Sequence, residues 1–168
     1  MGDDPKSQGN WHQTIKMLKS SEVQNDCGRI WQLLWPWAKK GRAEASLALA
    51  ELVRWKHLTP EGSGKDVLAR IRLSMGLFKA AAQAGNHQAM LLVADFYNGE
   101  LFGQPANQEL ATCWRAVARD QNRLHECQLL ESTYAIIPTL DVLSVEINLL
   151  KTPNSSAQCL APEGDTLR

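Results

Sequence analysis

The sequence predicts an all-α protein, an α-solenoid of two to three helix-turn-helix repeats with a capping helix at each end. The main observation is an alanine-rich stretch at residues 80–99, where Gly85 separates two helical segments and Gly99 closes the second. A similar pattern surrounds Gly41, and a fainter one surrounds Gln121. These three turns are 44 and 36 residues apart, which is typical of stacked helical hairpins.

The N-terminal part is predicted to contain two helices after a flexible polar tail at residues 1–10. Apolar residues at helical spacing place a first helix over residues 11–19. Asp26 is a good N-cap for a second helix that runs to about Lys40. Pro36 conflicts with this helix because it removes a backbone donor at a cost of about 3 kcal/mol, so we expect a kink or an early end.

Further helices follow in pairs after Gly41, which tolerates the left-handed conformation that a helix end needs. Residues 59–65 are a loop by composition, and Asp66 and Asn107 are plausible N-caps for the helices that follow them. The predicted helices after Gly41 are 42–57, 66–84, 86–98, 108–118 and 122–135.

The C-terminal region carries two competing signals. Residues 143–149 alternate between apolar and polar side chains, which indicates a strand, but the apolar residues from Leu140 to Leu150 also form a helical stripe. We favour a capping helix, because an isolated strand in a helical stack has no partner. The repeat domain is therefore assigned to residues 11–151, and residues 152–168 to a C-terminal tail.

Composition excludes several classes of protein. The formal net charge is zero and the pI is about 6.9, whereas a nucleic-acid binder needs a basic surface. Hydrophobic residues make up 44% of the chain, which argues against global disorder. No apolar run approaches the roughly 18 residues of a membrane helix, and we find no signal peptide. The polar start at residues 1–4 fits either a chain that has lost its leader or a native cytosolic start.

No motif for catalysis, a cofactor or a metal is convincing. Residues 62–65 read Gly-Ser-Gly-Lys, but a phosphate-binding loop needs glycine where Thr59 stands and Ser or Thr where Asp66 stands. The four histidines lack a zinc-binding spacing, and the four cysteines contain no Cys-x-x-Cys pair. We therefore predict no catalytic residue, no metal and no cofactor.

Cys113 and Cys127 form a candidate disulfide. They flank the predicted turn near residue 120, so an antiparallel helix pair would place them almost opposite each other. A bond there would fasten the third hairpin, whose repeat pattern is the weakest. The alternative is a pair of buried free thiols. The sequence does not decide whether Cys27 and Cys159 are free or paired.

The repeat positions follow a recognisable order of an aspartate, an aromatic residue, an alanine pair, the turn glycine, further alanines and a closing tyrosine and glycine. In the middle copy these are Asp66, Phe78, Ala81, Ala82, Gly85, Ala89, Ala94, Tyr97 and Gly99. The first copy matches at Ala38, Gly41, Ala45 and Ala50, and the third at Asn107, Ala111 and Trp114. Over roughly residues 26–135 this order resembles the SEL-one-like repeat family, relatives of the tetratricopeptide repeats. The resemblance implies a solenoid whose first helices line a concave surface that binds other proteins.

Charge and tryptophan content predict where a partner would bind. The first helices of the three pairs, counted as 27–40, 66–84 and 108–119, carry a charge balance of +6. The second helices, counted as 42–57, 86–98 and 121–135, carry −1, so the first helices favour an acidic partner, although a solvated face is the alternative. Trp35 and Trp37 point about 200° apart on a helix, so at least one tryptophan is expected on the surface unless the N-terminal helix covers it through Trp11 and Ile15. The predicted partner-binding residues are Trp35, Trp37, Trp55, Arg70, Arg72, Lys79, Arg115 and Arg119.

The resemblance and the basic surface together predict a non-catalytic protein-binding module. Its most concrete form is a periplasmic bacterial immunity or adaptor protein that binds a partner such as a secreted toxin, because bacterial members of the family include such proteins. The alternatives are a cytosolic assembly scaffold and an enzyme built on a helical scaffold.

Overall fold

Helices joined mainly by short turns make up the described part of the chain, so the all-α class is confirmed. The computed structural model describes residues 5–23, 26–54 and 67–147. Within those ranges there is no β-strand, and one isolated bridge joins Leu101 to Gln104. The helices are α1 (Pro5–Leu18), α2 (Cys27–Lys39), α3 (Ala43–Arg54), α4 (Val67–Gln83), α5 (His87–Tyr97), α6 (Gln108–Arg119), α7 (Leu124–Tyr134, preceded by a 3-10 helix at Gln121–Arg123) and α8 (Leu140–Ile147).

Gly41 and Gly85 follow α2 and α4 in the same hydrogen-bonded turn. Their φ angles are 93° and 104°, values that glycine adopts without steric cost. The N–H of Gly41 donates to the Ala38 carbonyl, and the next N–H donates to the Trp37 carbonyl, both at 3.0 Å. The corresponding bonds after α4 measure 3.1 and 3.0 Å. Since these bonds satisfy carbonyls that a helix end leaves open, both predicted turns are confirmed.

The third turn lacks glycine and is built differently. Asp120 has an extended backbone, and its carboxylate accepts a hydrogen bond from the Asn122 N–H at 3.2 Å, which starts the 3-10 helix before α7. The side chain of Gln121 donates to the carbonyl oxygen of Gly85 at 3.4 Å. The second and third turns therefore lie next to each other.

α1 begins earlier than the sequence predicts, and α2 keeps its predicted bounds despite Pro36. α1 begins at Pro5, inside the segment assigned to a tail, and proline is well tolerated in the first helical turn. α2 passes through Pro36 and continues to Lys39 instead of ending early. Pro36 is exposed and lies in the last turn, so its ring avoids the core, and the turn at Gly41 still closes the helix.

The core is continuous from α1 to α8. From α1 to α7, each helix packs on the next along the chain. Ala81, Ala89 and Ala94 are at most 1% exposed, and these small side chains let neighbouring helices approach closely. The larger Phe78 and Tyr97 are also buried and fill the space between helices, as the sequence predicts.

α8 is a helix over residues 140–147, so the strand alternative is wrong for residues 143–147, and residues 148 and 149 lie outside the described part of the chain. Its packing differs from that of the predicted capping helix. Its main helix contact is α4. Leu143, 1% exposed, lies against Gly76 of α4. A Cβ at position 76 would collide with the Leu143 side chain and would lie 3.0 Å from the carbonyl oxygen of Pro138. The absence of a side chain at Gly76 therefore allows α8 to approach α4.

Candidate partner-binding site

The predicted tryptophan cluster is partly buried. Trp35 is 4% exposed and stacks on Trp31, with ring centroids 5.3 Å apart, so its assignment to a partner-binding surface is wrong. The two residues are one turn apart on α2 and share its core side, which explains why both rings enter the core. Trp55 lies outside the described residues.

Trp37 is half-buried under α1. Its ring meets the Trp11 ring edge-on at 5.3 Å, and its indole Nε1 donates to the Thr14 hydroxyl at 3.1 Å. The Lys40 ammonium lies 5.1 Å from the centroid of the Trp37 ring, and the Arg42 guanidinium lies 4.6 Å from that of Trp11. The N-terminal helix α1 therefore covers part of Trp37, as the alternative predicts. The exposed Lys40 lies next to the part of the ring that remains accessible.

The predicted basic residues do not form one surface. Arg70 and Arg72 are half-buried on α4, and because they are two positions apart they line different grooves. Lys79 is 3% exposed, so its assignment to a partner-binding surface is wrong. On α6, Arg115 is half-buried and Arg119 is exposed.

α8 lies in a shallow depression on α4, which we call the α4 trough, and leaves open space on both of its sides. The α2 groove, about 440 Å³, is lined by Ala38, Lys39, Gly41, Gly76, Lys79, Ala80, Gln83, Ala84, Thr139, Leu140 and Asp141. The α7 groove, about 250 Å³, is lined by Arg72, Lys79, Gln83, Glu131, Ser132, Ala135, Ile136, Ile137, Pro138, Thr139 and Val142. Lys79, Gln83 and Thr139 line both grooves, so the two spaces flank the same segment of the chain.

A third and smaller groove lies on the opposite side of α4, between α3 and α5. Its volume is about 170 Å³. Its lining residues are Arg54, Arg70, Ile71, Ser74, Met75 and Phe96. Arg70 therefore belongs to a surface separate from the α4 trough.

Beneath the trough, four buried side chains form a hydrogen-bonded cluster, which we call the Glu131 network. The Tyr97 hydroxyl lies 2.7 Å from each carboxylate oxygen of Glu131, and Trp114 Nε1 donates to Glu131 Oε1 at 2.8 Å. The Lys79 ammonium lies 3.5 Å from Glu131 Oε2 and also donates to the Ile137 carbonyl oxygen. The four side chains come from α4, α5, α6 and α7, and each is at most 3% exposed.

Burial controls the protonation of this network. Burial lowers the pKa of Lys79, and the nearby Glu131 carboxylate opposes part of that effect. The pKa of Tyr97 is raised, first by burial and then by the charge of Glu131, so the hydroxyl keeps its proton and donates. The Glu131 carboxylate accepts hydrogen bonds from side chains of three other helices, so the network holds four helices in fixed relative positions.

A disulfide lies close to this network. The sulfur atoms of Cys113 and Cys127 are 2.08 Å apart and their Cα atoms 5.8 Å apart, so the predicted pairing is confirmed and joins α6 to α7. Cys127 is one turn before Glu131 on α7, and Cys113 directly precedes Trp114 on α6. The bond therefore holds the two helices together where Trp114 donates to Glu131.

Sequence reasoning missed two residues that organise the site. The spacing of Glu131 from Cys127 could have predicted its position. The two residues are four apart on α7, so both face α6 if the disulfide forms. An acidic residue at such an inward position requires buried donors. Gly76 had no comparable signal, because the α8 helix that packs on it is distant in the sequence.

The fold and these sites define a class: an all-helical protein of short hairpins with a trough on its central helix. Comparisons with family models, curated proteins and solved structures give no significant match to the chain. Within the described ranges, no three His, Cys, Asp or Glu side chains are grouped as a metal ion would require. No helix among the described residues is long and apolar enough to cross a membrane.

Proposed function

We propose that the chain is a non-catalytic protein-binding module, built as an α-solenoid of SEL-one-like repeats. Two equivalent glycine turns support the repeat assignment, as does the hydrogen bond from Gln121 to Gly85 between the second and third turns. The α4 trough is the observation that carries the binding role, since its open grooves provide an extended surface for a segment of another protein.

The trough suits a segment that combines apolar and acidic residues. Ala80, Ala84 and Gly76 give the α2 groove a floor of small residues, and Lys39 stands at its edge. Arg72 contributes a cationic side chain to the α7 groove. Apolar contacts would supply most of the affinity, and the basic residues would favour an acidic partner and speed its capture.

In its most concrete form, the module is a periplasmic bacterial immunity or adaptor protein that neutralises or positions a partner such as a secreted toxin. The Cys113–Cys127 pair supports this assignment weakly, because disulfides persist mainly in oxidising compartments. Any exported protein could carry such a disulfide, so the bond does not indicate what the partner is. The partner must therefore be identified by experiment.

Site-specific photo-crosslinking in cells of the source organism tests the binding role. A photo-crosslinking amino acid is placed at position 83, where Gln83 lines both grooves, and separately at position 91, where Leu91 is exposed on α5 and lines neither. We expect one reproducible protein adduct at position 83 and not at position 91. Identical adducts at both positions, or none at position 83, would contradict the proposal. The product of the adjacent gene, co-expressed with the chain, is the first partner to examine.

A further inference from the structure

We infer that α8 is an internal competitor for the α4 trough, and that the external partner is an acidic amphipathic helix that replaces it. This inference rests on the proposed protein-binding function and specifies the kind of partner. Arg72, one of the predicted partner-binding residues, lines the trough in which α8 lies.

The first argument is that α8 underfills its site. Open surface grooves of about 440 and 250 Å³ lie along the two sides of α8. Val142, in the described part of α8 (Leu140–Ile147), is 46% exposed. A helix with bulkier side chains on its flanks would fill more of the trough than these residues do.

The second argument concerns two contacts that hold α8 in the trough. Leu143 packs against the bare Cα of Gly76, and the Lys79 ammonium binds the carbonyl oxygen of Ile137 just before the helix. Neither contact requires this particular chain, because any helix with an apolar side chain opposite Gly76 and a free carbonyl near its start could make both. Helices that dock in grooves are commonly recognised by such apolar anchors at helical spacing.

The third argument concerns charge. Asp141 of α8 lines the α2 groove together with Lys39 of α2, so the internal helix itself brings a carboxylate to a basic edge. Arg72 lies in the other groove. A replacing helix with acidic residues on both flanks would meet a cationic side chain on each side, whereas a basic helix would be repelled.

A peptide-binding experiment with the full chain tests this inference. The probe is a labelled synthetic peptide with the sequence of residues 136–151, and binding is measured by fluorescence polarisation. We expect it to bind the Leu143→Asp variant, in which a buried carboxylate expels α8. Apparent affinity for the unchanged chain should be at least about tenfold weaker, since the docked α8 leaves few molecules with an open trough.

The matched control is Val142→Asp, because Val142 is the exposed neighbour of Leu143. That variant should bind the peptide as weakly as the unchanged chain does. Equal binding to all three chains, or no binding to a helical Leu143→Asp variant, would overturn the inference. If Leu143→Asp fails to fold, hydrogen exchange of the unchanged chain decides: α8 amides should exchange well before those of α4, and exchange of both at the global unfolding rate overturns the inference.

The peptide assay and the crosslinking assay together distinguish a failure of the proposed function from a failure of the competitor role of α8. Crosslinking of the partner at position 83 should increase in Leu143→Asp relative to Val142→Asp, because the internal competitor has been removed. A trough that binds the peptide but captures no protein would contradict the proposed function alone. A partner captured equally well by both variants would contradict the competitor role of α8 alone.

Discussion

The two halves of the core both bury tryptophan, but they hold it by different interactions. In the N-terminal half, Trp31 and Trp35 stack on each other, and within the described residues neither indole N–H has a hydrogen-bond partner. In the C-terminal half, the Trp114 indole donates to Glu131 at 2.8 Å. The Trp31–Trp35 pair of the N-terminal half therefore depends on apolar burial, which has no direction, whereas Trp114 in the C-terminal half also depends on a directional bond to a carboxylate.

This difference predicts how much stability each half loses when one of its core residues is substituted. Apolar packing can adjust to a changed side chain, with a loss that follows the volume removed. A buried hydrogen-bonded network cannot adjust in the same way, because a removed partner leaves the remaining polar groups unsatisfied in a medium of low dielectric constant. Substitutions in the Glu131 network should therefore cost more than substitutions of similar size between α1 and α3.

The largest effect is expected from Glu131→Ala. It leaves the Lys79 ammonium buried without its counter-charge and removes the acceptor of Tyr97 and Trp114, so the free energy of unfolding should fall by about 3–5 kcal/mol. Urea unfolding followed by circular dichroism measures the change. The control is Glu126→Ala on the same helix, whose pair with Arg123 at 3.2 Å is exposed and should contribute less than about 1 kcal/mol.

A compensated variant separates loss of charge balance from loss of packing. Replacing Lys79 by Met and Glu131 by Leu together removes both charges while keeping similar volumes. The double variant should be clearly more stable than Glu131→Leu alone, which keeps a similar volume but leaves the Lys79 ammonium buried without its counter-charge. Equal losses in the two would mean that the charge pair is not what the single substitution disturbs.

The next largest effect is expected from the disulfide of the C-terminal half. Cys113→Ala, Cys127→Ala and the double variant all break the same bond, so each should lower stability by a similar amount, about 3 kcal/mol for a loop of this length. Denaturant unfolding without reductant measures the loss. A double variant as stable as the unchanged chain would show that the bond does not fasten α6 to α7.

A matched pair of tryptophan substitutions compares the two halves directly. Trp35→Phe removes volume from the stacked pair but no hydrogen bond, whereas Trp114→Phe also removes a donor from Glu131. The second substitution should cost about 1–3 kcal/mol more than the first, measured as the difference between two urea unfolding curves. Equal costs would mean that the directional bond adds nothing to burial, and the contrast between the halves would be lost.

The parts of the fold that the sequence predicts correctly are set by neighbouring residues. Gly41 and Gly85 predict their turns correctly, because the end of a helix requires a left-handed residue at that one position. The Cys113–Cys127 pair follows from symmetry about a turn at residue 120. Helix periodicity also shows that Trp35 and Trp37 face different ways, but it cannot say which of the two faces inward.

The remaining parts depend on residues that are distant in the sequence. α8 fits against Gly76 through a surface that exists only after the hairpins have folded. The sequence of α4 predicts that Lys79 is a surface cation. In the fold Lys79 is buried, because Glu131 of α7 lies next to it and supplies the opposite charge. The sequence therefore predicts a candidate site made of basic residues on several helices. The structure instead places the candidate site at the α4 trough, whose centre is occupied by α8.

The smallest expected effect is a pH dependence of stability that comes from Tyr97 and Lys79 of the Glu131 network. Tyr97 and Tyr134 are the two tyrosines of the chain. The pKa of Tyr97 is raised chiefly by burial, and that of Tyr134 chiefly by its hydrogen bond to Glu109. The unfolded chain loses its tyrosine protons near pH 10, where folded Tyr97 keeps its own. The unfolded state then binds fewer protons, so Tyr97 makes stability fall as pH rises above about 10, by at most about 1.4 kcal/mol per pH unit.

Lys79 acts with the opposite sign. Its pKa is lowered from 10.5 in the fold, so in the window just below 10.5 the unfolded state binds more protons and stability rises with pH. Tyr97→Phe should therefore weaken the fall above pH 10 and make the rise easier to detect, whereas Tyr134→Phe, at an exposed position, should retain most of the fall. Urea midpoints between pH 8 and 11 measure both slopes. If Tyr97→Phe declines as steeply as the unchanged chain, the buried hydroxyl does not hold its proton, and Glu131 lacks one of its three donors.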